Sequence, residues 1–292
     1  MLATDRDGRR SIGIFLTITF ALSSVFYLLV ILTGKLSQGL YLMGLMWCPG
    51  CAALLTCRIL RREVSTLGWK WNPRYQFVSY LVPLGYCLVA YGSVWLVGWG
   101  RFPDPAFVRE TAKFFGWERL PPGLVITFSV LLLGTIGFIR STISALGEEI
   151  GWRGFLVPEL AKKMSFTKTA LITGIVWSIW HYPLILFSGY NMGTPTWYAL
   201  GCFTVMVVGI SFGFTWMRLK SGSLWTGTFL HASHNLFVQQ VFTPLTADTG
   251  HTRYVVDEFG AALAVAALVV AFLFWRRRSE VESARDIPAR NR

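Results

Sequence analysis

Eight long apolar runs constrain this chain more than any other feature, at roughly residues 12–33, 40–59, 77–98, 122–157, 168–187, 198–217, 223–242 and 259–275. Each approaches the ~20 residues an α-helix needs to cross a bilayer. Lipid offers no partner to a bare backbone N–H or C=O, so such runs are expected to span as helices. Composition agrees: 53% of residues are hydrophobic and 14% charged, where a soluble domain carries about a quarter charged. The expected fold class is all-α, a polytopic transmembrane helix bundle of about eight spans enclosing a polar cavity. The fourth run is too long for one straight crossing and contains Arg140. It is expected to divide there into a spanning helix and a second helical piece, which Pro158 stops.

The net charge is +12, from 27 Lys and Arg against 15 Asp and Glu. Much of the excess sits between or beyond the apolar runs, at Arg58, Arg61 and Arg62, at Lys162 and Lys163, and at Arg276, Arg277 and Arg278. With the basic N-terminus, these segments fall on one side. The balanced 101–119, the uncharged 188–197 and the acidic 243–258, with Asp248, Asp257 and Glu258, fall on the other. The positive-inside rule then puts both termini in the cytoplasm of an integral multi-pass protein, of the kind found in a bacterial cell membrane. The charge pattern lacks the basic, aromatic-interleaved soluble face of a nucleic-acid binder. The first run is too long for the core of a cleaved signal and reads as a retained helix. Residues 1–278 read as a single multi-pass membrane domain, and 279–292 as a charged, disordered cytoplasmic tail. Cys48, Cys51, Cys57, Cys87 and Cys202 lie in or beside apolar runs and read as small hydrophobes. Cys48 and Cys51 have CxxC spacing but no second pair or βαβ context.

Ionisable groups inside a span are costly, so each is a functional candidate. Three clusters stand out: Gly147-Glu148-Glu149-Ile150-Gly151-Trp152-Arg153-Gly154, Trp177-Ser178-Ile179-Trp180-His181, and His231-Ala232-Ser233-His234-Asn235. Glu149 and Arg153 are one helical turn apart and are expected to pair. Glu148 lies about 100° round the axis from Glu149 and is expected to face a cavity, where a poorly solvated carboxylate suits a general base. Gly147, Gly151 and Gly154 would let a neighbouring helix approach closely. His181 sits deep in its run, two residues before Pro183. His231 and Asn235 share a helical face, and an imidazole with an amide can hold an oxyanion. His234 is secondary, a supporting or packing residue. Counted from the cytoplasmic ends, Glu148, His181 and His231 lie ~12–20 Å deep, so they can meet in one cavity, expected to face the cytoplasm.

At these residues the sequence resembles the CPBP family of CAAX proteases and bacteriocin-processing enzymes, which includes the type II CAAX prenyl endopeptidase. The family's EExxxR motif matches Glu148, Glu149 and Arg153. Its aromatic-xxx-His motif matches Trp177 and His181, with Trp in place of the commoner Phe. Its HxxxN motif matches His231 and Asn235. The likeness covers roughly residues 40–240, and three motifs in order on apolar runs are specific.

The resemblance implies an intramembrane endopeptidase. Glu148 and His181 would activate water, His231 and Asn235 would stabilise the oxyanion, and Glu149 and Arg153 would support the site. Trp152, Trp177 and Trp180 would wall a substrate-binding cavity. The family is described both as metal-dependent and as glutamate-dependent, and Glu148, His181 and His231 are the candidate ligands for zinc. The implied partners are membrane lipids and a peptide or lipidated, membrane-tethered protein substrate. Two other readings use the same residues: a non-catalytic immunity or partner-binding membrane protein, and a proton-coupled transporter.

Overall fold

The computed structural model describes residues 2–34 and 39–282, with side chains from Gly8 onward. Helices α1 (Leu2–Thr33), α2 (Gly39–Ile59) and α3 (Pro73–Val97) are followed by the short amphipathic α4 (Pro105–Phe115). Next come α5 (Pro122–Ala161), α6 (Phe166–Phe187), α7 (Thr196–Ser221), and α8 (Leu224–Asn235), which continues as a π-helical stretch over Leu236–Phe242. Helices α9 (Ala261–Arg276) and α10 (Ser279–Glu282) complete the described chain. It is an all-α membrane helix bundle. Among the described residues six helices are long and apolar enough to cross a membrane: α1 from Gly8, α2, α3, α5, α6 and α7. The other two expected spans are helical but fall short, one because it carries the polar residues of α8, the other because α9 has only 16 residues.

Helix α5 differs from expectation. It neither divides at Arg140 nor stops at Pro158, running instead as continuous helix with π-helical stretches at Leu133–Gly137 and Ile150–Leu156. Pro158 is tolerated because it falls in the first turn of the α-helical segment that follows the second π stretch. A missing N–H costs least there.

Contacts between the connections define two ends of the bundle. At the basic end, Ser11 Oγ donates to Glu159 Oε2 at 2.8 Å and Arg62 pairs with Glu159 at 3.0 Å. Lys220 pairs with Glu280 at 3.2 Å, and the backbone N–H of Phe166 donates to Glu282 at 2.9 Å. Residues 279–282 are thus a docked helical turn, with Val281 buried; the rest of the expected tail lies outside the described residues. At the opposite end, Arg101 and Ala247 form an antiparallel bridge and Tyr190 donates to Glu258 at 2.6 Å.

Helix α5 lies close against α2. A Cβ on Gly147 would sit 2.7 Å from the Trp47 ring, and one on Gly151 2.6 Å from Pro49. Real Cβ atoms do not approach that closely, so these glycines set the separation that brings the next residues of α5 into the core.

Candidate active site

Glu148 and Glu149 sit at the last α-turn before the Ile150–Leu156 π stretch and are 1% and 0% exposed. Such stretches widen one turn of helix and are frequent at functional sites. Glu148 Oε2 accepts two indole hydrogen bonds, from Trp177 Nε1 at 2.7 Å and from Trp152 Nε1 at 3.2 Å. Its other oxygen accepts no hydrogen bond from the described residues. Two fixed donors therefore orient the carboxylate while one oxygen stays open.

Glu149 makes the expected pair with Arg153, whose Nη1 donates to Oε1 at 2.8 Å. The same oxygen is 3.1 Å from His231 Nδ1, a partnership across 82 residues. Accepting from Nδ1–H, Glu149 fixes the His231 ring and leaves Nε2 for other work. Arg153 is fully buried, with its guanidinium 4.2 Å from the Trp177 ring centroid and 4.0 Å from that of Phe214. The rings cover a charge that water cannot reach. Gly227 on α8 closes this layer, where a Cβ would stand 2.6 Å from Glu149 Oε2.

His181 Nδ1 lies 3.0 Å from the carbonyl oxygen of Trp177, one turn back along α6. A carbonyl only accepts, so Nδ1 carries the proton and Nε2 holds a lone pair. Glu148, His181, His231 and Asn235 all line one cavity of about 130 Å³, together with Trp177 and Trp180. At about 10–15 Å³ per water, it has room for several. The three sequence clusters do meet. Trp152 is fully buried outside this lining, where its indole braces Glu148.

The cavity does not lie towards the basic end, where a cytoplasm-facing site was expected. Its walls come from the opposite halves of α2 (Leu42 to Met46), α6 (Trp177 to Leu184) and α7 (Phe203 to Ile210), and from Tyr190 and Glu258. Counting residues from the basic ends is blind to what plugs each side. The plug here is a buried layer in which Arg218 Nε donates to the carbonyl of Arg153 at 2.7 Å and Arg218 Nη2 to that of Leu67 at 3.3 Å.

Sequence reasoning missed a second polar group on the cavity wall. Glu258 accepts from Tyr190 at 2.6 Å and from Gln239 Nε2 at 3.0 Å, and lies 3.3 Å from His234 Nε2. His234 Nδ1 meets the Tyr86 hydroxyl at 2.5 Å. Glu258 was legible only as an acid at the edge of the last apolar run.

Glu148, His181 and His231, the candidate zinc ligands, share the cavity lining but do not stand together as a metal-ligand cluster. Among the described residues no group of three His, Cys, Asp or Glu side chains is arranged to hold a metal ion. Glu148 Oε2 already accepts two N–H groups and His231 Nδ1 is engaged by Glu149, so a cation would be left with the other Glu148 oxygen and the Nε2 atoms of His181 and His231.

Residues 124–237, which carry all three motifs, match the family described as Type II CAAX prenyl endopeptidase Rce1-like. Over that region the chain is similar to type II CAAX endopeptidases. CAAX prenyl protease 2 of Methanococcus maripaludis is 32% identical to the chain over 136 residues, 44% of this chain and 47% of that protein. The chain thus spans about half the length of the curated relative it matches. The family is one of membrane peptidases, and the helices that carry its motifs here are those that build the cavity.

Proposed function

We propose that the protein is an intramembrane endopeptidase that hydrolyses a peptide bond in a peptide or membrane-tethered protein, without a step through a metal. The observation that carries this reading is Glu148, braced by two indoles on one oxygen, in a single cavity with His181, His231 and Asn235. Water held between Glu148 and His181 loses a proton to the carboxylate as its oxygen adds to the scissile carbonyl. His181 Nε2, with its lone pair free, orients that water. The oxyanion is met by the Asn235 amide and by His231, which as an imidazolium donates through Nε2 while Glu149 balances its charge. Collapse of the intermediate breaks the C–N bond, and the proton held by Glu148 passes to the departing amine. Arg153 keeps Glu149 in place and does not touch substrate.

The test is cleavage of a peptide library, some members lipidated, by purified protein. Wild type should release products, and Glu148→Ala and His181→Ala should not, while both variants keep the wild-type melting temperature. Cleavage by Glu148→Ala at the wild-type rate would remove Glu148 as the base. No cleavage by folded wild type of any peptide would favour a non-catalytic binding role.

A further inference from the structure

A cavity set inside a helix bundle needs a route for any polypeptide that enters it, and this one offers one side only. Its lining runs outward from Glu148 and His231 to Leu42, three residues from the start of α2, to Leu184, three from the end of α6, and to Tyr190 and Glu258 beyond the helices. Gln239, on its rim, is exposed. Towards the basic end the way is shut. Arg153, Arg218 and Leu67 are 0%, 7% and 2% exposed. They are tied together by the Arg218 bonds and by the backbone N–H of Leu224, which donates to the Gly68 carbonyl at 2.7 Å.

Charge says which side of the membrane each end occupies. Among the described residues, the connections at the cavity end hold Arg101, Arg109, Lys113, Arg119 and Arg253, and 188–195 holds none. The other described Lys and Arg, except Arg140 and Arg153 within α5, fall at or beside the basic end. Translocating a basic segment is disfavoured, so the basic end is the cytoplasmic one.

We infer that the cavity is entered from the extracytoplasmic face, and that its substrate is the outward-facing flank of a membrane-anchored polypeptide rather than a cytosolic tail. The nature of the substrate rests on the peptidase reading above; the side of entry does not. A peptide stretch leaving the membrane on that face reaches Glu148 by passing Gln239 and Tyr190, without disturbing the Arg153–Arg218 layer.

The test is cysteine accessibility to a charged, membrane-impermeant methanethiosulfonate in spheroplasts of an expression host, with the five native cysteines of the unmodified chain as background. His251→Cys, exposed at the cavity end, and Gln239→Cys, on the rim, should react in intact spheroplasts. Ser65→Cys, exposed at the basic end, should react only after permeabilisation. Leu42→Cys, elsewhere on the cavity wall, repeats the Gln239 measurement should that variant misfold. Reversal of the His251 and Ser65 results, or reaction of the cavity cysteines only after permeabilisation, overturns the inference. So does a failure of both cavity cysteines to react in folded protein. None of these readings requires cleavage, so an inactive protein would count against the peptidase proposal alone. With a peptide cleaved by purified enzyme, right-side-out vesicles should cleave it from outside and inverted vesicles should not; the opposite result refutes the stated side.

Discussion

Trp177→Phe removes one hydrogen atom of consequence, the indole N–H that Glu148 Oε2 accepts at 2.7 Å. A phenyl ring can still cover the Arg153 guanidinium, now 4.2 Å from the Trp177 ring. A hydrogen bond to a charged group is worth about 1.5–3 kcal/mol, and every 1.36 kcal/mol of barrier is about tenfold in rate. Trp152 still donates at 3.2 Å, so a fall in kcat of roughly 10- to 100-fold is expected. KM should stay within about twofold, because the lost bond positions the base and does not hold substrate. The assay is steady-state cleavage of one identified peptide, with the melting temperature as a control. Trp180→Phe trims the same cavity wall, but its indole N–H goes to Ser23, so it reports the cost of lost ring volume and of one indole hydrogen bond that does not touch Glu148. If Trp177→Phe falls no further in kcat than Trp180→Phe, or only raises KM, the indole is not positioning Glu148.

Arg153→Leu strips Glu149 of its buried cation and should destabilise the fold by about 3–5 kcal/mol, read as a lower melting temperature in detergent. Gly227→Ala pushes a methyl group into the Glu149–Arg153 pair. It should cost about 1–3 kcal/mol of stability and most of the cleavage activity, whereas Gly222→Ala, at a left-handed helix cap, should leave the activity of the folded fraction intact. In the 243–260 connection, burial and the adjacent Glu258 raise the Asp257 carboxyl to about 7. A carboxyl that holds its proton more tightly folded than unfolded stabilises at low pH, and that contribution is lost as pH rises from about 4 to about 7. Asp257→Asn should therefore flatten the fall in melting temperature between those limits; an unchanged slope would contradict the assignment.

The spans were legible because crossing a bilayer imposes length and apolarity on sequence itself. So was the Glu149–Arg153 pair, which needs only one helical turn, and the Trp152–Glu148 bond has the same spacing. Longer-range relations were not. Nothing local says that His231 Nδ1 meets Glu149, because α5 and α8 are brought together by Gly227 and by packing across 82 residues. The π stretches in α5 left no sequence signal, so Arg140 and Pro158 were read as interruptions when the helix absorbs both. Glu258 was counted as a loop charge, yet the 243–260 connection folds back and sets it in the cavity wall. The direction in which the cavity opens depends on Arg218 reaching two backbone carbonyls, which neither depth nor motif spacing encodes.

Glu148→Gln tests the central claim most directly. The amide oxygen can still accept from both indoles and the side chain keeps its size, but it cannot take a proton from water. Measured on the same purified protein and peptide, kcat should fall by about 10²–10⁴, the usual share of a general base, with the melting temperature unchanged. A Glu148→Gln enzyme that cleaves within about threefold of wild type would show that this carboxylate does not activate the water.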